Sequence, residues 1–400
     1  MGLVKSLGLE VEERGWYEPD GHVCADCVED EFLQQVIRQN LSHRECTYCG
    51  RKTRAKSAAP VAVIMEPIGR AVSYYFSDPT LAGVPYDGGF LVESMGTEDA
   101  LMSLQLKCED RLFDAIAQAF VVSEWVPAAG GHWASSHPNE VMSYSWNSFV
   151  SAIRHEARFF FQQLPASTDA DPQEYAPAHV LPAIGKLVKE LQLCRQLPRG
   201  TALYRVRERA KGAEWQIDAF NMGAPPSKRA KAGRMNPAGI SYLYMALEQE
   251  TALAEVLSSP PCEVAIACFE TKTDLNVLDL ANLPKKHSIF DDDQRSNREG
   301  LLFLAHFVAE ISNPVRKDGR EHIEYVPSQV VSEFFALEFR DLGGLRLDGV
   351  MYPSSVRPGG LNLVLFPSER GLDRRFDQVV FKRAEEKALE NWAKISDALS

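Results

Sequence analysis

Two Cys-x-x-Cys pairs, Cys24-Ala-Asp-Cys27 and Cys46-Thr-Tyr-Cys49-Gly50, stand eighteen residues apart near the start of the chain. Each pair turns two sulfurs toward one point, and two such knuckles supply the tetrahedral thiolate set that zinc prefers. The pattern predicts a small N-terminal module closed on one structural zinc, because a four-sulfur site of this kind holds together a fold with too little core of its own. Phe32, Val36, Ile37 and Leu41 recur at helical spacing between the knuckles and predict a short helix there. His22 and His43 are the alternative ligands. Eight cysteines in 400 residues are too sparse for a disulfide scaffold, so a reducing compartment, the cytoplasm, is expected.

The rest of the composition narrows the field. A length of 400 residues favours two or three domains over one. With 43 Lys plus Arg against 55 Asp plus Glu, the net charge of −12 speaks against nucleic acid or an anionic membrane as the main partner. No uncharged apolar run approaches the roughly 20 residues that cross a bilayer, since Leu301 to Ile311 contains His306 and Glu310. Met1 to Arg14 carries three glutamates and no segment like the apolar core of a secretory signal.

Along the chain the texture changes twice. Lys52 to Pro60 is basic and poor in large apolar residues, which sets a boundary and predicts the zinc module over 1–57. Three apolar stripes at helical spacing follow: Leu101, Leu104, Cys108, Leu112, Ile116 and Phe120; then Trp146, Phe149, Ile153, Ala157, Phe160 and Leu164; then Ile184, Leu187, Val188, Leu191 and Cys194, starting at Pro182. Pro165 to Pro182, rich in Ala, Pro and Asp, reads as a surface connection. Residues 58–197 are therefore expected to form a helical bundle. After Pro198-Arg-Gly200, strands are predicted at Ala202–Val206, Glu263–Phe269, Leu275–Leu278 and Asn362–Phe366, with a helix over Glu248–Ser258. A closing helix over Phe381–Leu399 would end the chain, its end (386–400) lying beyond a third domain at 198–385. The fold class is multidomain α+β with a mixed or antiparallel sheet in the last domain.

The chemistry is concentrated in that last domain. Gly233-Arg234-Met-Asn236-Pro-Ala-Gly239 puts a fixed cation on a tight turn, where a guanidinium holds a phosphate by two parallel hydrogen bonds. Glu255 lies on the predicted helix among small residues and Val256, so its carboxylate is expected to face a pocket. A turn arginine and a surface glutamate are the commoner meaning of each residue taken alone. There is no GxGxxG after a strand, no GxxxxGK[ST], no GxSxG and no HExxH, and His179, His287 and His306 read as loop or core histidines.

Five motifs in register lift these residues above chance. Leu203-Tyr204-Arg205-Val, Gly233-Arg234-x-Asn236-Pro-x-Gly239, Leu243-Tyr244-x-Ala246, Glu250-Thr-Ala-Leu-Ala-Glu255 and Gly349-Val-Met-Tyr-Pro353-Ser354-Ser-Val-x-Pro-Gly-Gly-x-Asn362-Leu-Val-Leu-Phe366 resemble, in this order, the RES domains named for their Arg, Glu and Ser. Tyr325-Val-Pro-Ser-Gln329 resembles the Tyr-x-Pro-Thr-Gln element of a longer RES subgroup, with Ser328 in place of Thr, and Met235 stands where the family more often has an aromatic residue. The N-terminal half, CxxC pairs included, is similar to the HEPN/RES N-terminal region. Many HEPN ribonucleases carry Arg, four to six residues, then His; the helical segment has only Arg154-His155, while Arg38 to His43 and Arg316 to His322 fit the spacing outside it. Ribonuclease activity is thus not expected, and a structural or partner-binding role for the bundle is.

The resemblance implies an ADP-ribosyltransferase-like fold and a toxin that consumes NAD+ or transfers ADP-ribose, neutralised by an antitoxin of the Xre type and often paired as a homo-oligomer. In NAD+ the nicotinamide ring is a cationic pyridinium that departs neutral, so its release needs a carboxylate near the ribosyl centre rather than a strong acid. Glu255 is the candidate for that role. Arg205 and Arg234 would hold the pyrophosphate, Tyr244 would stack on nicotinamide, and Ser354 would bond the ribose or carboxamide. Tyr204, Asn236 and Asn362 complete the expected NAD+ contacts. Two alternatives to NAD+ hydrolysis or phosphorolysis stand beside it: ADP-ribosylation of a macromolecule, and a catalytically silent fold that binds a partner.

Overall fold

The computed structural model describes residues 11, 14–165, 172–209, 216–256, 262–313, 319–368 and 376–389. The chain divides into two units, one of residues 1–141 with 285–300 and the other of 142–284 with 301–400. This division lies elsewhere than the composition shifts at 57/58 and 197/198.

In the first unit, β1 (His22–Cys24) pairs antiparallel with β2 (Ala58–Pro60), and α1 (Glu31–Gln39) lies between the knuckles as expected. Asp30 starts α1 by accepting a hydrogen bond from the Leu33 amide, and Leu33 and Ile37 are buried. Their partners in the core include Ile64, Met65, Ile68 and Val72 of α2 (Ala62–Tyr75). A three-stranded sheet of β3 (Phe76–Ser77), β4 (Met95–Gly96) and β5 (Glu124–Pro127) has β5 in the middle. The stripe from Leu101 to Phe120 is not one helix but two, α3 (Thr97–Ser103) and α4 (Asp110–Ala119). Gln105 takes a left-handed φ of 59°, which ends the first, and Glu109 caps the second by accepting from the Leu112 amide.

The next two helices also depart from expectation at their ends. The division between the units falls inside α5 (Pro138–His155), which stops before Ala157, and Phe160 is exposed. Helix α6 (Pro177–Glu190) starts at Pro177 and carries Pro182 inside it, while Cys194 belongs to β6 (Cys194–Leu197). Pro177 takes the first helical position, where a missing N–H costs nothing. Of the expected surface connection, residues 166–171 lie outside the described residues.

The second unit is built on an eight-stranded sheet. Its strands are β6, β7 (Ala202–Arg209), β8 (Leu243–Ala246), β9 (Cys262–Thr271), β10 (Leu275–Asp279), β11 (Gly349–Pro353), β12 (Leu361–Leu365) and β13 (Val379–Leu389). The helices are the short α7 (Ala219–Met222), α8 (Gln249–Val256), α9 (Arg295–Ser312), which begins in the other unit's residues, the short α10 (Glu321–Glu324) and α11 (Val326–Leu337). The strand order is β13-β9-β7-β8-β12-β11-β10-β6, and only the β10–β11 pair is parallel. Successive strand residues point to opposite faces, and the burial follows that rule. Leu278, Val350 and Val364 pack with Trp146, Phe149, Ile184, Phe303, Phe307 and Phe335, whereas their neighbours Val277, Met351, Leu363 and Leu365 pack with Leu203, Met245 and Phe269. The fold is a mixed α/β domain preceded by a helical region and a four-cysteine cluster.

The closing helix is a correction. Residues 379–389 form β13 on the edge of β9, with a bulge between Phe381 and Arg383, and 390–400 lie outside the described residues. The Ala, Glu and Lys content of this segment favours a helix by weak local propensity, and pairing with a ten-residue strand overrides it. The helix predicted over Glu248–Ser258 is α8, and 257–261 are not described.

Gly349 opens β11 against β12, where a Cβ would stand 2.4 Å from the Val364 carbonyl oxygen, a backbone atom that has no room to yield. Gly349→Ala is expected to lower stability by about 2 kcal/mol or more, read as the midpoint of chemical denaturation.

Candidate active site and metal centre

Four residues directly opposite one another on β7, β8, β12 and β11 make one row of the sheet: Tyr204 faces Ala246, Ala246 faces Asn362, and Asn362 faces Tyr352. The methyl group of Ala246 leaves space in the middle of that row. Helix α8 packs Ala252 and Leu253 against Val206, Val264 and Ile266 on the same side. A cavity of about 190 Å³ opens there, lined by these row residues and by Arg205, Tyr244, Glu255 and Val256.

Glu255 is exposed at the end of α8, and one of its oxygens is gripped from two sides. The Ser354 hydroxyl donates to Oε1 at 2.7 Å and the Asn362 amide donates to the same oxygen at 2.6 Å. Ser354 is itself held in the turn after β11, its oxygen accepting from the Arg357 amide at 3.1 Å and the Val356 amide at 3.3 Å. Ser354 and Asn362, 99 and 107 residues from Glu255 in sequence, therefore converge on one of its oxygens. Burial, with the Glu255 carboxylate adding to it, pushes the Tyr352 hydroxyl above its ordinary range.

Arg205 reaches the lining where β7 and β8 meet at a single residue pair. Its Nη1 is buried and has no hydrogen-bond partner, and among the described residues no carboxylate pairs with it. Burial, followed by the nearby Arg207, pushes its pKa down to about 9, so at neutral pH it is a cation without a counter-charge among the described residues. A buried cation of this kind attracts an anion in physical terms.

Arg234 and Asn236 do other work. The Arg234 Nη1 donates to the Ile311 and Asn313 carbonyls, at 2.8 and 2.6 Å, near the end of α9, and Arg234 does not line the cavity. The negative end of a helix attracts a cation, and this guanidinium is drawn there rather than to the open cleft. The buried Asn236 accepts from the Tyr244 hydroxyl at 2.7 Å and donates to the carbonyls of Lys231, Pro237 and Ile240, and the Met235 amide donates to the Tyr244 oxygen at 2.9 Å. Tyr244 is thus locked at the cavity wall, with its hydroxyl pushed up by burial above all. Ser328 and Gln329 tie the same turn to α11 through the carbonyls of Arg234, Gly233 and Asn236.

Residues 39–167 match the HEPN/RES N-terminal domain 1, and residues 202–383, which supply every part of this cavity, match the RES domain. The chain is a RES domain protein with a HEPN/RES N-terminal region. No curated protein and no solved structure matches it. In the RES domain, sequence reasoning missed Glu248, Thr251, Tyr352 and Arg357. The first, second and last act through hydrogen bonds that have no signature in residue type, whereas Tyr352 sits inside a motif already in view and carries the alternation of β11.

In the N-terminal region the four cysteines come together. Their sulfurs lie within 4.8 Å of one another, with Cys24 to Cys27, Cys24 to Cys49 and Cys27 to Cys46 each at 3.6 Å. A tetrahedron with sulfur bonds of about 2.3 Å has edges of roughly 3.8 Å, so the set fits one metal ion. The Cys24 amide points at the Cys46 sulfur at 3.4 Å, the kind of outer contact that orients a thiolate ligand. His22 and His43 instead stack on each other, with ring centroids 3.3 Å apart, and are not in the set. Of the Arg-to-His spacings, Arg38 ends on this stacked His43, and Arg316 lies outside the described residues. No helix among the described residues is long and apolar enough to cross a membrane.

The uncompensated Arg205 generates a prediction in which stability and binding move oppositely. Its cation opposes folding fully below pH 9, and that opposition fades only as pH rises through the folded pKa of about 9 toward the unfolded value. Arg205→Met is expected to raise the Tm at pH 7 by roughly 2–4 °C and to abolish binding of an anionic ligand in the cavity, read by scanning calorimetry and by titration.

Proposed function

We propose that the RES domain cleaves NAD+ at the nicotinamide–ribose bond with water, or phosphate, as acceptor. The observation that carries this reading is the Glu255 carboxylate held by Ser354 and Asn362 at a cavity whose wall includes an unpaired buried cation, Arg205. The C1′–N bond breaks with its electron pair going to the pyridinium nitrogen, so nicotinamide leaves neutral. The ribosyl centre turns positive as it does so, and the Glu255 carboxylate stabilises it while water bonds to C1′ and loses a proton to solvent. Arg205 takes the pyrophosphate, a role proposed for it alone now that the Arg234 guanidinium is bound to carbonyls. Tyr244 and Tyr204 flank the nicotinamide. Asn236 supports Tyr244, and Asn362 and Ser354 set the angle of Glu255.

The resemblance to RES toxins extends the proposal to depletion of cellular NAD+, restrained by an antitoxin-type partner. We further infer that the four-cysteine centre holds zinc in a structural role, since four thiolates with no open position leave no place for a substrate. On composition alone we propose the sequence modules 1–57, 58–197 and 198–385.

Purified full-length protein is expected to release free nicotinamide from NAD+, with the rate falling about 10²-fold or more in Glu255→Ala, measured by chromatography. No NAD+ loss in the wild type, with phosphate added, would remove the hydrolytic reading; transfer of labelled ADP-ribose to a lysate component would replace it with the transferase one. Elemental analysis of protein purified without chelator is expected to find one zinc per chain, lost in Cys46→Ser together with stability of the N-terminal region.

A further inference from the structure

The hydrogen bonds that grip Glu255 explain how its carboxylate is oriented, but not what keeps α8, β12 and the turn after β11 in mutual register. That register converges on Glu248, the residue before α8. Its Oε2 accepts the Thr251 hydroxyl at 2.7 Å, inside the helix that carries Glu255, and the Leu361 amide at 3.0 Å, at the start of the strand that carries Asn362. The backbone of the same segment repeats the tie, with the Leu247 amide donating to the Leu361 carbonyl at 3.0 Å.

The third element is reached through Thr251, which is fully buried. Having donated to Glu248, its hydroxyl oxygen accepts from the Arg357 guanidinium at 3.3 Å. Arg357 belongs to the turn of Ser354, where the Ser354 amide donates to the Gly360 carbonyl and the Gly360 amide to the Arg357 carbonyl. Gly360 presses against the same threonine so closely that a Cβ there would stand 2.4 Å from the Thr251 oxygen. One carboxylate oxygen thus ties together the three segments that supply Glu255, Asn362 and Ser354, from a point seven residues, or about 10 Å of helix, away from Glu255.

We propose that Glu248 is a positioning residue of the RES site: it holds α8 against β12 and the Ser354 turn so that the Glu255 carboxylate stays where a ribosyl cation would form. The catalytic part of this inference rests on the NAD+-cleavage reading; the holding part does not. Misplacing a reacting group by about 1 Å costs up to about 10²-fold in rate without removing any substrate contact, so the signature is a loss in kcat with KM preserved. Glu248 works as an acceptor rather than as a charge, and the carbonyl of a glutamine can accept the same two bonds.

The test compares wild type, Glu248→Gln, Glu248→Ala and the near-isosteric Thr251→Val, all as full-length protein. NAD+ turnover is expected within twofold of wild type in Glu248→Gln, and at least tenfold lower in kcat with KM within twofold in Glu248→Ala and Thr251→Val. An unchanged kcat in Glu248→Ala overturns the proposal, as does an equal loss in Glu248→Gln. Hydrogen exchange at the Leu361 amide separates this from the reading of function. It is expected to quicken at least tenfold in Glu248→Ala and to stay near wild type in Glu248→Gln. Should the wild type not cleave NAD+, the function fails while this exchange still decides whether Glu248 holds the segments, and unchanged exchange overturns that too.

Discussion

The row of cross-strand neighbours Tyr204, Ala246, Asn362 and Tyr352 is the constraint on which the RES site depends, because the cavity is lined by residues of those four strands and of α8, which packs on the same side of the sheet. Register in a sheet is all-or-none: a slip of one residue turns every side chain of a strand to the other face. A one-residue slip of β12 would carry Asn362 away from Glu255 and put Leu363 in its place. The alternation of Val364 into one core and Leu363 and Leu365 into the other resists that slip, since it would move large apolar side chains off both cores at once. Apolar packing on the two faces of the sheet therefore keeps a polar site in register.

Within that frame the site divides its polar groups into two kinds. Tyr244, Asn236, Ser354 and Asn362 have their hydrogen bonds satisfied inside the domain and act as fixed walls. Arg205 does not, and burying an unpaired cation lowers the stability of the whole domain. A fold retains such a group where a ligand completes it, and the contrast between one unsatisfied arginine and its saturated neighbours points to the anion's place in the cavity. Arg234 illustrates the opposite case, an arginine of the family signature whose Nη1 donates to two carbonyls near the end of a helix and which does not line the cavity.

Much of this was legible before any fold was known. The CxxC spacing pointed to four sulfurs around one ion, and the order of the RES motifs identified Glu255, Ser354, Asn362, Tyr204, Tyr244 and Arg205, all of which lie at the cavity or bond directly to a residue that does. The ends of the helices were not legible. Gln105 breaks a continuous apolar stripe through its backbone conformation alone, and Pro177 rather than Pro182 starts α6 because both prolines are compatible with a first turn. The Ala, Glu and Lys residues of the last strand favour a helix locally, and the edge of β9 that pairs with it is invisible in the sequence around it.

What the sequence by itself determined is chemistry carried by residue type: thiolates at fixed spacing, a carboxylate and guanidinium in a recognisable order, and two-fold alternation in strands that must be buried on both faces. What only the tertiary structure decided is who bonds to whom. Arg205 and Arg234 are equal as residues, yet one ends at an unsatisfied position in a cavity and the other at two backbone carbonyls. Likewise the motif in the sequence begins at Glu250, and only the closeness of Leu361, 113 residues further on, singles out Glu248. The reason is that a hydrogen bond is decided by the position of both partners to within a few tenths of an ångström, and positions of segments far apart in the chain are set by packing of the whole sheet.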